Sequence, residues 1–175
     1  SIIQKIDMKN FSGLLISSLL ARPGDAKPDN FVMKFNYDKR GDLSAELISI
    51  DNDIAFSREK LDIAAGNNQI YSDMLNILFL LPQMDKPVSP YIRNELKKKN
   101  PILIVAQWLD TLYKKNRQYK RAGFNQDVLA RSQLPIKLPP KTAQRIYLQL
   151  HKIIQLLQNE ATTHQDIFKA LCPSI

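Results

Sequence analysis

Residues 22–37 read Arg22-Pro23-Gly24-Asp25-Ala26-Lys27-Pro28-Asp29-Asn30-Phe31-Val32-Met33-Lys34-Phe35-Asn36-Tyr37, a polar loop running straight into an apolar, strand-like run. A polar turn, Asp38–Asp42 with Gly41 inside it, separates this run from a second one at Leu43–Ile50, and Asp51-Asn52-Asp53 follows directly. Two β-prone runs of similar length joined by a short glycine-containing turn predict a β-hairpin. Pairing of the runs returns Asn30 and Asp51 to the same open end, on strands about 4.8 Å apart. At that spacing an amide oxygen and a carboxylate can share one cation.

Magnesium takes oxygen ligands and, in phosphoryl transfer, bridges phosphate oxygens. Asn30 and Asp51 supply that ligand chemistry. Asp25, five residues before Asn30, is placed to orient an attacking hydroxyl, and Lys27 to balance charge developing on the transferred group. Each of these aspartates and asparagines is also at home in a turn or cap. A turn does not require Asp-x-Lys ahead of one strand together with an aspartate directly behind its partner, and that conjunction favours a site.

The stretch Asp25-Ala26-Lys27-Pro28-Asp29-Asn30-Phe31 resembles the catalytic loop of protein kinases, and Ile48-Ser49-Ile50-Asp51-Asn52-Asp53-Ile54-Ala55-Phe56 resembles the metal-binding motif that follows the hairpin there. The Ile-Asp-Asn form with a following Ala-Phe is nearer to phosphoinositide kinases, especially the type II phosphatidylinositol 4-kinases, and to kinase-like modules of bacterial effectors. The resemblance covers residues 22–56. It implies a fold like the C-terminal lobe of a kinase, with Asp25 as the catalytic aspartate, Lys27 as the assisting cation, and Asn30 and Asp51 as magnesium ligands. Asp53 stands where a glycine is usual and is a further candidate ligand. Pro23-Gly24 replaces the histidine and arginine that usually precede the aspartate. By the same resemblance Asp73 is a candidate anchor for the loop backbone, and ATP with magnesium would serve transfer to a phosphoinositide lipid. No glycine-rich loop or strand lysine precedes the motif, so this chain alone is expected to be inactive.

Outside the motif the chain reads as helical. Phe11, Leu14, Leu15 and Leu19 recur at helical spacing and predict a helix over residues 8–21, stopping at Pro23-Gly24. Ile70, Met74, Ile77, Leu78 and Leu81, with Leu75, Phe79 and Leu80, predict a helix near 70–84 that is apolar almost all round and belongs in the core. A short basic helix is expected from Tyr91 to Lys99. Asn100-Pro101 starts the next one, with Ile102, Val105, Ala106, Leu109, Leu112 and Tyr113 on one face and basic residues toward Gly123. A proline-containing loop over 125–140 leads to a helix with Ala143, Ile146, Tyr147, Leu150, Ile153, Ile154 and Leu157 on one side. Thr163 and Asp166 form a capping signature for a last helix through Leu171. The fold class expected is therefore mainly α with a small β-hairpin, one domain over residues 1–175, with a helical scaffold from 69 to 172.

Composition sets the outer bounds. With 175 residues and 44% hydrophobic content the chain can bury one sizeable core. Its 25 Lys and Arg against 17 Asp and Glu leave +8, which favours an anionic partner. Lys97, Lys98, Lys99, Lys114, Lys115, Arg117, Lys120 and Arg121 are either solvated helix faces or a surface for anionic lipid headgroups or a host protein. On the second alternative the chain is a non-catalytic interaction module. Trp108, Tyr113 and Tyr119 fall at helical spacing and read as packing groups, which argues against nucleic acid. One cysteine, Cys172, excludes an internal disulfide, and His151 reads as a surface position. No apolar run approaches the roughly 20 residues of a membrane span. The start, Ser1-Ile2-Ile3-Gln4-Lys5, has no signal-peptide pattern and looks like the beginning of an excised piece. A cytoplasmic location, peripheral to a membrane or reached as a bacterial effector, is the expectation.

Overall fold

The first helix, α1 (Met8–Ala21), lies where the Phe11–Leu19 periodicity puts it. In this computed structural model residues 1–21, 28–50, 76–123, 138 and 141–172 are described, together with strand backbone at 60–61 and 70–71. Asp7 opens α1: its carboxylate accepts the Asn10 amide at 2.7 Å, satisfying a donor the first turn leaves without a partner. Phe11, Ser12, Leu15, Ile16 and Leu19 form the buried face. The helix ends two residues before Pro23, a residue whose ring disfavours helical backbone just ahead of it.

Strands β1 (Phe31–Tyr37) and β2 (Leu43–Ser49) pair antiparallel, with Phe31 opposite Ser49 and Tyr37 opposite Leu43. The Asp38 carboxylate accepts the Arg40 and Asp42 amides at 2.8 and 2.9 Å and closes the turn. Gly41 there sits at φ +82, a conformation that side chains with a Cβ resist. Ala45 and Leu47 of β2 point into the core, while Val32, Phe35 and Ile48 face solvent. The hairpin is fastened to α1 through backbone groups on the outer edge of β2. The Asn10 amide nitrogen donates to the Leu47 carbonyl at 3.0 Å, and its oxygen accepts the Leu47 amide at 2.8 Å. Nearby, the Asp7 amide donates to the Ala45 carbonyl at 2.7 Å.

The predicted helix near 70–84 is not formed at the described positions. Strand β4 (Ile70–Tyr71) pairs antiparallel with β3 (Lys60–Leu61), and two 3-10 turns, Ile77–Leu80 and Pro82–Asp85, follow. Asn76 starts a new element by accepting the Leu78 amide on its side chain at 3.0 Å, and Leu81 is extended because Pro82 follows it. Leu78 and Met84 are buried and Phe79 and Leu81 pack partly against the core, but Leu80 is 80% exposed, so the apolar residues of this stretch do not all turn inward.

Helix α2 (Pro90–Leu96) is shorter than the expected 91–99. Helix α3 (Pro101–Arg121) begins as predicted, with the Asn100 side chain accepting the Ile102 amide at 2.9 Å. Its core-facing edge differs from the expected one. Val105 is buried and Leu112 half-buried, whereas Ile102, Leu109 and Tyr113 are exposed. Periodicity identified the apolar arc, but the arc is wider than its neighbours cover. Tyr113 is accordingly no packing group: it carries the Arg117 guanidinium 5.7 Å from its ring centre.

Helix α4 (Thr142–Leu156) buries Ile146, Leu150 and Ile153, part of the predicted face, and His151 is exposed as expected. Helix α5 (His164–Leu171) carries the predicted capping box. The Thr163 hydroxyl accepts the Asp166 amide at 3.1 Å, and the Asp166 carboxylate accepts the Thr163 amide at 2.8 Å. Residues 86–88 run alongside 162–164, with Val88 donating to Thr162 and His164 to Lys86 through the backbone. The core gathers Phe11, Leu15 and Leu19 of α1 with Leu78, Val88, Ile153, Leu157 and Ile167. Among the described residues the architecture is mainly helical, with five α-helices and a small antiparallel hairpin, and no helix is long and apolar enough to cross a membrane.

Candidate functional site

Of the residues expected to carry chemistry, Asn30 is the one the structure describes. Asp25, Lys27, Asp51 and Asp53 lie outside the described residues, as do Asp73 and nearly all of the loop over 125–140. Asn30 closes a short 3-10 turn, Pro28–Asn30, and leads directly into β1. It is buried, whereas its neighbour Asp29 is exposed. The Ile50 amide donates to the Asn30 carbonyl at 3.0 Å, extending the ladder one pair beyond Phe31 and Ser49. The hairpin register therefore brings Asn30 against the residue that immediately precedes Asp51 in sequence. Whether Asp51 meets Asn30 lies outside the described residues.

Among the described residues no group of three or more His, Cys, Asp or Glu side chains is gathered.

A second polar cluster was not foreseen from sequence. Ser12 of α1 and His164 of α5 are both fully buried, with the serine Oγ 2.7 Å from the imidazole Nε2. The His164 Nδ1 lies 2.8 Å from the Lys86 carbonyl, and the Phe11 ring meets the imidazole edge-on at 5.0 Å. The Ser89 amide donates to Ser12 Oγ at 3.0 Å, and the Met8 carbonyl lies 2.7 Å from the same hydroxyl. Burial pushes the His164 pKa down, opposed by hydrogen bonds to the backbone of Lys86 and Gln83. Serine with histidine at this distance is the spacing of a nucleophile and its base. Here neither side chain reaches solvent, so the pair ties three segments together rather than meeting a substrate. The one sequence signal was a serine in the middle of the apolar face of α1.

No protein-family model matches this chain, and no curated protein or solved structure matches it at a significant level.

Proposed function

We propose that this chain carries the catalytic loop and metal site of an ATP-dependent phosphotransferase of the kinase type, with a phosphoinositide hydroxyl as acceptor. The carrying observation is the hairpin ladder: Asn30 is buried at its open end and hydrogen-bonded to Ile50, one residue ahead of Asp51. A loop of composition Asp-Ala-Lys-Pro-Asp-Asn entering one strand, with Asp-Asn-Asp leaving the other, supports the same reading.

In this reading Asp25 accepts the proton of the acceptor hydroxyl as its oxygen bonds to the γ-phosphorus. The bond from that phosphorus to the β–γ bridging oxygen breaks, and ADP leaves. Lys27 balances charge on the phosphoryl oxygens in flight. Asn30, Asp51 and Asp53 would hold magnesium, which when bound neutralises phosphate charge.

The test measures transfer of labelled γ-phosphate to phosphatidylinositol vesicles, using the longest natural form of the protein that contains this chain. Asp25→Asn and Asp51→Asn are expected to lower turnover at least about 100-fold, with unchanged melting temperature. Unchanged turnover in either variant rejects the assignment.

A further inference from the structure

The positive charge of this chain is concentrated in one place. Residues 97–121 hold eight cations, Lys97, Lys98, Lys99, Lys114, Lys115, Arg117, Lys120 and Arg121, against one acid, Asp110, so 8 − 1 = +7 of the total +8 lies in this segment. The other 150 residues are nearly neutral, with 17 cations and 16 acids. Asp110 is itself engaged by Lys114 at 2.7 Å.

Between the two cationic ends, α3 leaves aliphatic surface uncovered. Ile102 and Leu103 are each 58% exposed and Tyr113 60%, with Leu109 also exposed. Positions 102, 109 and 113 recur at i, i+7 and i+11, which places them along one line of the helix. Lys120 continues that line, and Arg117 flanks it over the Tyr113 ring. The result is an apolar stripe bounded by Lys97–Lys99 at the start of the helix and by Lys114–Arg121 at its end.

We propose that this surface of α3 docks on an anionic lipid bilayer, the helix lying in the headgroup plane. A bilayer answers both halves of the surface, with acyl chains for Ile102, Leu103 and Leu109 and headgroup phosphates for the lysines. Nucleic acid would meet the cations but offer the aliphatic line nothing. A fluid leaflet also receives a protruding stripe without a shape-matched pocket, which a protein partner would have to supply. The inference stands apart from the reading of the Asp25 loop, because it needs neither nucleotide nor metal.

Flotation of the full 175-residue chain with vesicles tests it, comparing phosphatidylcholine alone with phosphatidylcholine carrying about 30% phosphatidylserine. Binding is expected only to the anionic vesicles and should weaken as salt rises. Arg117→Glu with Lys120→Glu should weaken it at least about 25-fold, since each cation near an anionic surface contributes about five-fold. Ile102→Ser with Tyr113→Ser, at positions 58% and 60% exposed, should weaken it about ten-fold. Lys39→Glu with Arg40→Glu, in the hairpin turn, makes the same net charge change elsewhere and should leave binding within about two-fold. Absence of binding to anionic vesicles overturns the proposal, as does unchanged binding by the serine pair. Equal loss in the hairpin pair would show that total charge, not this surface, governs binding, and would overturn it as well.

Discussion

Ser12 Oγ and His164 Nε2 meet at 2.7 Å in the interior, joining the first helix to the last across 152 residues of sequence. The hydrogen-bond inventory around them is tight. The Lys86 carbonyl only accepts, so Nδ1 carries a proton, and a neutral ring then presents Nε2 as an acceptor. Ser12 has a single hydroxyl proton and two acceptors at 2.7 Å, this nitrogen and the Met8 carbonyl. A protonated ring would satisfy both contacts, since Nε2 could then donate to Ser12 while the hydroxyl served Met8. Burial opposes that proton, and the downward shift of the His164 pKa says that burial prevails.

Stability should therefore depend on pH through His164. Its folded pKa lies below the ordinary 6.5, so below that pH the unfolded chain binds more protons than the folded one. The contribution is fully present above about pH 6.5 and is lost as pH falls from there toward and through the folded pKa. Unfolding free energies from urea titrations across pH 8 to about 5.5 should decline by at most about 1.4 kcal/mol per pH unit from this group. His164→Gln should be less stable throughout yet flatter over the same window. An equal slope in the variant would refute the assignment.

Loss of the serine strands two partners. Ser12→Ala leaves the Ser89 amide and the His164 ring without it, and should cost about 1–3 kcal/mol. The double variant with His164→Gln should be less destabilised than the sum of the single variants, by about 1 kcal/mol in a mutant cycle. Additive losses would mean the two side chains are not coupled.

Asn10 offers a cleaner measure of how the hairpin is held. Alanine is the better helix former, so Asn10→Ala should help α1 by itself. It also removes both bonds to the Leu47 backbone, and a net loss of about 1–2 kcal/mol in urea unfolding is expected. A neutral or stabilising result would assign the hairpin's attachment to the Asp7–Ala45 backbone bond and to packing of Ala45 and Leu47.

The capping box of α5 should respond to both mutation and acid. Thr163→Ala is expected to cost about 1 kcal/mol in denaturant unfolding. Hydrogen bonds from the Thr163 backbone and hydroxyl hold the Asp166 carboxyl below its usual range. The cap's contribution is thus present above the ordinary aspartate pKa and fades as pH drops through the depressed one. Carboxylate titration followed by NMR should show Asp166 returning toward its usual range in the alanine variant.

What sequence made legible was local. Asn100 ahead of Pro101, Thr163 with Asp166, and Asp38 with Gly41 each fix an element boundary using partners only a few residues apart, and all three appear in the structure. The 70–84 stretch misled because apolar content outweighed two breakers, the capping side chain of Asn76 and the ring of Pro82. Helix α3 was found, but periodicity cannot say which half of a broad apolar arc a neighbour covers. Ser12 and His164 were invisible as a pair because nothing short-range links them. Of the candidate site, the described residues hold the Asn30–Ile50 ladder bond, which follows from hairpin register, the one long-range feature a two-residue alternation encodes.

The link between α1 and α5 also bears on how the chain is made. The apolar face of α1 carries Phe11, Leu15 and Leu19, and part of its cover comes from Ile153, Leu157 and Ile167, near the other end of the chain. Ribosomes add about 5–20 residues per second, so that face waits roughly 7–30 seconds after emerging before its cover is synthesised. During translation the apolar face of α1 is thus only partly covered, a ready substrate for a holding chaperone until α5 leaves the exit tunnel.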